Sequence, residues 1–235
     1  MQRLLIIVAC LMMAACTTTA VRKSDTVRTP VNGSTILIVE PRIQLGMLTA
    51  GGLTEPREEW SNQARANILA HLQTSMAQES HKYVVGNVDD LMEGRIGQVV
   101  RVNEAVVQAI LANEYAGLKL PTKGDKFEWT IGEGSQLVGD HFGADYALFV
   151  NGTGNYASGG RVAAFVVASA FGVGIPLGQQ QIMASLVDLK TGQVMWVNYA
   201  VAGPGADMRE YDGARSLVQS LLKDAPLSVT ADAAP

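Results

Sequence analysis

Residues 182–201 read IMASLVDLKTGQVMWVNYAV, and this stretch decides the fold. Two apolar runs, residues 182–189 and 194–201, flank the loop Lys190-Thr191-Gly192-Gln193, in which a glycine stands near the end. A short loop with a late glycine between two apolar runs is typical of a β-hairpin closed through a bulge. The sequence therefore predicts two antiparallel strands near the C-terminus, with Trp196 packed across them.

Further strands are predicted upstream of this hairpin. Residues 34–39 form a β-branched run that is apolar on both faces, which favours a buried strand. Residues 83–85 and 146–150 are shorter runs of the same kind. Residues 46–60 contain glycines, Pro56 and charges, so we expect a loop there.

Helical patterns alternate with these strands. From Ser61 the apolar residues recur every four positions, a second such stripe starts at Val102, and a last one follows Asp207 and Glu210. Gly143 is placed to end a short helix over residues 135–142. The alternation predicts an α/β (α+β) fold: a single mixed sheet with helices packed on it, a C-terminal β-hairpin and a terminal helix.

The first fifteen residues have the composition of an export signal. Arg3 gives a positive start, residues 4–13 are apolar without interruption, and Ala14-Ala15 precede Cys16. The apolar run is about half the length that a membrane-spanning helix needs. Met13-Ala14-Ala15-Cys16 resembles the lipobox of bacterial lipoproteins, in which the cysteine is acylated and becomes the new N-terminus. An ordinary signal peptide with an incidental cysteine is the alternative.

The organisation predicted from these features has four parts. Residues 1–15 are a lipoprotein signal peptide, residues 16–33 a lipidated polar tether, residues 34–224 a single α/β domain and residues 225–235 a flexible tail. By resemblance to lipoprotein sorting patterns, Thr17 after the cysteine favours the periplasmic face of the outer membrane. The covalent lipid on Cys16, palmitate among its chains, is thus the expected membrane anchor.

Composition and charge exclude several classes of partner and chemistry. The net charge of −4 becomes −5 once Arg3 leaves with the signal, and no basic patch points to nucleic acid. Both cysteines, Cys10 and Cys16, lie in the leader region, so the domain has no thiol for catalysis or metal binding. No metal and no cofactor other than the lipid is expected.

Catalytic signatures are weak. The three histidines show no HExxH spacing, and no GxSxG motif supplies a nucleophile. Asp140 and His141 could form an acid–base pair, but adjacent residues seldom converge, so a solvated helix end is the favoured interpretation. We therefore expect a protein that is not an enzyme, with a periplasmic hydrolase using Asp140 and His141 as the alternative.

Residues 162–177 read VAAFVVASAFGVGIPL and are the most hydrophobic part of the mature chain. No charged residue occurs between Arg161 and Asp188. The run is too short to span a bilayer as a helix. One interpretation is a buried helix or hairpin of the domain's own core; the other is a surface that meets a membrane or a neighbouring subunit. The candidate contact residues are Ala164, Phe165, Ala168, Phe171 and Gly172; three of them, Ala164, Ala168 and Gly172, lie four apart and would give a helix a flat small-residue face.

Three stretches together resemble a known superfamily. They are Val39-Glu40-Pro41 at the end of the first strand, Gly143-Ala144-Asp145-Tyr146 entering a later strand, and residues 185–196 in the hairpin. The chain is similar to envelope lipoproteins with a domain like the N-terminal part of TolB, which include the curli-secretion lipoproteins and the penicillin-binding-protein activator lipoproteins.

The resemblance implies a lipid-anchored, non-enzymatic accessory of the cell envelope. Such a protein would be a scaffold or assembly factor of a secretion, export or cell-wall machine. Its partner would be another envelope protein or further copies of itself in a homo-oligomer. An oligomeric membrane pore subunit is a further alternative.

Overall fold

Nine strands of the described residues join in one sheet. The fold is taken from a computed structural model that describes residues 18–24, 30, 33–78, 82–87, 89, 92–124, 126–203 and 205–227. The strands are β1 (Thr18–Lys23), β2 (Thr35–Val39), β3 (Arg42–Leu48), β4 (Thr54–Pro56), β5 (Lys82–Gly86), β6 (Trp129–Thr130), β7 (Tyr146–Ala157), β8 (Gln180–Asp188) and β9 (Gln193–Val201).

The described residues form five α-helices, four between strands and one after the last strand. They are α1 (Glu58–Ala77), α2 (Arg95–Ile110), α3 (Gln136–Phe142), α4 (Gly159–Ala170) and α5 (Tyr211–Leu221). A π-helical turn, Leu111–Tyr115, extends α2, and a 3-10 turn, Glu133–Ser135, precedes α3.

The sheet is mixed and β7 lies at its centre. The strand order is β1-β9-β8-β7-β2-β5, with β3 also paired to β7, β4 to β3 and β6 to β9. The pairs β2–β5, β2–β7 and β3–β7 are parallel, and the remaining pairs are antiparallel. The predicted fold, a single mixed sheet with helices packed on it, is confirmed.

Hydrophobic layers cover both faces of the sheet. In β2, Ile36 and Ile38 join a core cluster with α1 and α5, whereas Leu37 and Val39 join a second cluster with α2 and α3. Successive side chains of a strand point to opposite faces, so a strand buried on both sides must be apolar throughout. This is the pattern from which the buried strand was predicted.

The C-terminal hairpin forms as predicted. The carboxylate of Asp188 accepts hydrogen bonds from the backbone amides of Lys190 (2.8 Å) and Thr191 (3.0 Å), which closes the turn. Gly192 has a φ of 73°, a conformation that a side chain disfavours, and the ladder shifts register between Leu186 and Val187 as a bulge does. Trp196 is fully buried in the cluster beneath α1 and α5.

The region predicted as a loop, residues 46–60, contains regular structure instead. β3 pairs in parallel with the distal half of β7, and β4 folds back on β3. α1 starts at Glu58, and the Ser61 hydroxyl inside its first turn accepts a hydrogen bond from the amide of Leu45 (2.9 Å). The partner of β3 is a part of β7 that the sequence pattern did not reveal, which is why the strand was missed.

The ends of the predicted domain also differ. Part of the range assigned to a tether, residues 18–23, is strand β1, because antiparallel pairing with β9 gives its backbone groups hydrogen-bond partners. At the other end, Leu227 is buried against the core, so residues 225–227 pack on the domain although the tail was predicted from residue 225. Residues 1–15, Cys16 and residues 228–235 lie outside the described residues.

Candidate membrane contact at one end of the sheet

Helix α4 is capped at both of its ends. At its start, the Ser158 hydroxyl accepts a hydrogen bond from the amide of Arg161 (3.1 Å), which is the usual N-cap contact. At its end, the amides of Gly172 and Val173 donate to the carbonyls of Ser169 and Ala168, both at 3.0 Å. With the left-handed Gly172 (φ 75°), this pair of bonds is a Schellman motif.

No residue of α4 is buried. Val166 and Val167 are each 62% exposed, and Phe171, directly after the helix, is 81% exposed. Of the predicted contact residues, Ala164, Phe165 and Ala168 are half-buried, and Phe171 and Gly172 are exposed. In the described structure the segment is therefore an outward-facing helix, and the interpretation as a core helix does not apply.

Arg161 ties α4 to its neighbours. Its guanidinium donates hydrogen bonds to the carbonyl of Pro176 (3.0 Å) and to that of Ala50 (3.4 Å). A cation in the first turn of a helix is unfavourable for the helix dipole, and these two carbonyls offset that repulsion. The contacts join three segments: the helix, the tip of the β3–β4 hairpin and the chain that returns to β8.

The tip of the β3–β4 hairpin lies beside α4 and is also apolar. Residues 49–53 form a tight turn in which the amide of Thr49 donates to the carbonyl of Leu53 (2.8 Å). The Leu53 side chain at this tip is 75% exposed. We refer to Leu53, α4 and residues 171–177 together as the apolar tip.

The segment after α4 returns along β7 without becoming a regular strand. The amides of Ala157 and Asn155 donate to the carbonyls of Leu177 (3.1 Å) and Gln179 (2.9 Å). Between them Gly178 has a φ of 106°, and a Cβ at that position would overlap the carbonyl oxygen of Asn155. Glycine is therefore required where the chain passes from the apolar tip into β8.

The strand directions place the start of β1 at the same end of the sheet as the apolar tip. Val201, the last residue of β9, pairs with Thr18 on one side and with Gln181 on the other. Gln181 in turn pairs with Thr153 of β7, so Thr18 lies three strand spacings, roughly 14 Å, from β7. Cys16 is two residues before Thr18, which is a reach of about 7 Å at most. We refer to the end of the sheet at which β1 begins and β7 ends as the α4 end of the sheet.

Among the described residues, no helix combines the length and the apolar character that crossing a bilayer would need. The twelve residues of α4 measure about 18 Å along the helix axis, compared with a hydrocarbon core of about 30 Å.

The two residues of the hydrolase alternative lie far from the apolar tip. Asp140 and His141 are both exposed in the last turn of α3, and the His141 ring packs edge-on against Phe142 at 4.7 Å. They precede the first residue of β7, whereas α4 follows its last. The length of β7 separates the two places by more than 30 Å.

A polar cluster that the sequence did not suggest joins the end of β7 to the loop before α5. Tyr156 donates a hydrogen bond to Asp207 (2.7 Å), and Arg209 forms an ion pair with the same carboxylate (2.7 Å). The guanidinium lies 3.5 Å from the centre of the Tyr156 ring and 4.8 Å from that of Trp60. Fifty-one residues separate Tyr156 from Asp207, and no spacing rule links them.

Burial and hydrogen bonding shift the pKa values of this cluster. Burial raises the pKa of Tyr156 strongly, and the hydrogen bond to Asp207 raises it further. Burial alone would raise the pKa of Asp207, but hydrogen bonds from Arg209 and Tyr156 outweigh it and hold that pKa below 3.8, its ordinary value. The cluster is thus a charged clamp between α1, β7 and the α5 loop.

A cleft of about 760 Å³ opens between β3, β4 and the first turns of α1. It contains none of the predicted contact residues. Within the described part of the chain no group of His, Cys, Asp or Glu side chains is arranged to hold a metal ion. The polar side chains that line the cleft are Gln44, Thr54, Arg57, Glu58, Ser61, Asn62, Arg65, Thr153, Asn155, Gln179 and Gln181.

Comparison with known proteins gives no family assignment. The chain matches no family model and no curated protein sequence. Among solved structures, it is similar to the PelC dodecamer from Paraburkholderia phytofirmans, with a TM-score of 0.42, 11% identity and coverage of 92% of this chain and 99% of that one. A variant of the same dodecamer gives a TM-score of 0.41, 11% identity and coverage of 92% and 100%. At these TM-scores the likeness carries no argument about function.

Proposed function

We propose that this protein is a lipid-anchored, non-enzymatic accessory of the bacterial envelope, held at the periplasmic face of the outer membrane by a lipid on Cys16. It acts as a scaffold or assembly factor, as the resemblance to the envelope lipoproteins implies. Its partner is another envelope protein or further copies of the same chain.

The position of β1 is the observation that carries this proposal. Because Thr18 is already paired with Val201, only two residues connect the sheet to the proposed lipid. Tyr115 strengthens the attachment by donating a hydrogen bond to the carbonyl of Ala20 (2.8 Å), and burial raises the pKa of its hydroxyl to about 12. A lipid on Cys16 would therefore hold the domain against the membrane rather than at the end of a long tether.

This arrangement gives the two ends of the sheet different environments. The α4 end would face the lipid, and the hairpin turn between Asp188 and Gln193 would face the periplasm. β8 has nine residues, so the two ends are about 30 Å apart. A domain held in this way presents its far end to soluble or membrane-bound partners.

Metabolic labelling with palmitate tests the anchor, and the chain provides its own control. Cys16→Ser should abolish the label and release the protein from the membrane fraction. Cys10→Ser, a change within the leader, should leave labelling and fractionation unaltered. A protein that takes no palmitate, or one that Cys16→Ser leaves in the membrane fraction, contradicts the proposal.

Co-purification tests the scaffold role. The tagged lipoprotein, solubilised from its own cells in mild detergent, should elute with a stable envelope protein or as an assembly of several copies. Light scattering and mass spectrometry of the eluted material distinguish these two results. A lone monomer, with no partner, counts against a scaffold.

A further inference from the structure

We propose that the apolar tip inserts into the surface layer of the same membrane that holds the Cys16 lipid and so fixes the orientation of the domain. This inference rests on the proposed function for the lipid but assigns a second, independent membrane contact. The residues that enter the lipid are Leu53, the exposed valines of α4, Phe171 and Val173.

The composition of α4 is the first argument. A helix with apolar residues all round its surface is normally buried in a protein core or in lipid. Residues 162–177 contain no charged residue, yet no residue of α4 is buried within the chain. Both helix ends are capped by the chain's own Ser158 and Gly172, so the segment is a formed helix whose apolar surface lacks a cover in the described structure.

The place of Arg161, the only charged residue in the sequence between Asp145 and Asp188, is the second argument. Arg161 is in the first turn of α4, where the helix meets the sheet, and its guanidinium binds backbone carbonyls on either side. Residues 162–187, which follow it, are uncharged. An arginine at the base of an apolar protrusion is the distribution expected at a membrane surface, where the cation lies at headgroup level and the apolar groups lie deeper.

Position relative to the lipid is the third argument and selects the membrane over other occupants. β1 begins, and β3, β7 and β9 end, at the α4 end of the sheet. The lipid on Cys16 and the apolar tip therefore leave the domain on the same side. A second copy of the chain could also cover α4, but the anchor already places lipid at this end of the sheet, whereas a second copy would have to associate first.

The length of α4 determines the mode of insertion. At about 18 Å, the helix is too short to cross the hydrocarbon core and instead lies among the headgroups and upper acyl chains. A lipid anchor alone lets a domain rotate freely, whereas a second contact about 14 Å away from β1 restricts its tilt.

Site-specific quenching tests this insertion in the intact lipoprotein. Cleavage removes Cys10, and acylation blocks Cys16, so an introduced cysteine is the only free thiol. Val166→Cys and Leu53→Cys, carrying a fluorophore, are reconstituted in phosphatidylethanolamine–phosphatidylglycerol vesicles and compared with Lys190→Cys in the hairpin turn. Lipids brominated on the acyl chains should quench the labels at positions 166 and 53, and aqueous iodide should quench only the label at position 190.

Each other outcome overturns the inference. Equal access of iodide to positions 166 and 190 means that α4 stays in water. Protection at position 166 that grows with the protein-to-lipid ratio, without quenching by brominated lipid, means that a second copy covers the helix. A separate control tests the proposed function. If the protein without introduced cysteines takes up the fluorophore, Cys16 carries a free thiol and is not acylated.

A charge introduced on α4 provides the matched comparison. Val167→Glu, at an exposed position, should open the label at position 53 to iodide as fully as the label at position 190. Val102→Glu places the same charge at an exposed position of α2, away from the apolar tip, and should leave the protection unchanged. Equal behaviour of the two variants contradicts the inference.

Discussion

Thr18 and Gln181 pair with the same residue, Val201, from opposite sides. This pairing places Thr18, the first described residue, two strands away from Gln181 near the start of β8. β8 itself begins shortly after the apolar tip. Strand β1 is therefore part of the sheet, and its pairing with β9 places Thr18 at the α4 end.

Proline in β1 should weaken this attachment in a position-dependent way. The amide of Ser24 donates to the carbonyl of Met195 (3.0 Å), and the alternation of an antiparallel ladder then places the amides of Arg22 and Ala20 toward β9 as well. Ala20→Pro removes one such donor and should lower the free energy of unfolding by about 1–3 kcal/mol. Val21→Pro removes an amide that faces away from β9, so it should lower the free energy of unfolding by less. Urea titrations of the two variants measure this difference. Equal losses for the two variants would mean that β1 is not paired as described.

Alanine at Gly178 should destabilise the return from the apolar tip. The φ of 106° and the overlap of a Cβ with the carbonyl of Asn155 predict a loss of about 1–3 kcal/mol, seen as a lower melting temperature. Gly174→Ala is the control because a Cβ there meets no atom within 4 Å. A melting temperature lowered no more by Gly178→Ala than by the control would contradict the assigned backbone.

Loss of the N-cap should loosen α4 without unfolding the domain. Ser158→Ala removes the hydroxyl that accepts from the amide of Arg161, worth about 1 kcal/mol, so hydrogen exchange in α4 should accelerate about fivefold. The global melting temperature should hardly change, since no α4 residue is buried. The comparison is Ser169→Ala. Ser169 is an exposed serine of the same helix, and it contributes to the C-terminal cap only through its backbone carbonyl. Unchanged exchange in Ser158→Ala would show that the cap does not hold the helix.

Asp207→Asn should reduce stability in a pH-dependent manner. The folded-state pKa of Asp207 lies below its ordinary 3.8, so the ionised carboxylate stabilises the fold above that pH, and this contribution is lost as pH falls through the folded-state pKa. The variant should therefore melt at a lower temperature than the original protein at pH 7. We expect its free energy of unfolding to be lower by about 1 kcal/mol at this pH, and this difference should narrow below about pH 4.

The control for this change is Asp212→Asn. Asp212 pairs with Arg215 on the surface at 3.0 Å, and exposed pairs of this kind contribute little. Its melting temperature should stay close to that of the original protein across the same range. A difference for Asp207→Asn that is constant from pH 7 to pH 3 would mean that the clamp does not depend on ionisation.

Several elements were predictable because their signals are local. The hairpin turn depends on Asp188 and Gly192, which are four residues apart, and the end of α3 depends on the left-handed Gly143 (φ 63°). The buried strand β2 was predictable because the residues on both of its faces are apolar. Turn-forming residues and side-chain periodicity act within a few positions of each other. The elements that depend on them can therefore be predicted from the sequence alone.

Other elements exist only because a distant segment supplies their partners. β1 and β3 form against β9 and the distal half of β7, and the Tyr156–Asp207–Arg209 clamp joins groups about fifty residues apart. Asp207 and Glu210, three residues apart, have the spacing of a capping box, but no such box forms before α5. The Asp207 carboxylate instead accepts a hydrogen bond from the amide of Arg209 (2.9 Å). No spacing in the chain encodes such pairs.

By itself, the sequence determined that residues 162–177 are apolar and uncharged, as well as the places of the hairpin and of the buried strand. Only the tertiary structure decided that this apolar helix faces outward, at the end of the sheet where β1 begins. The physical reason is that hydrophobicity is a property of a segment, whereas burial depends on whether another element packs over it, and in the described residues none covers α4.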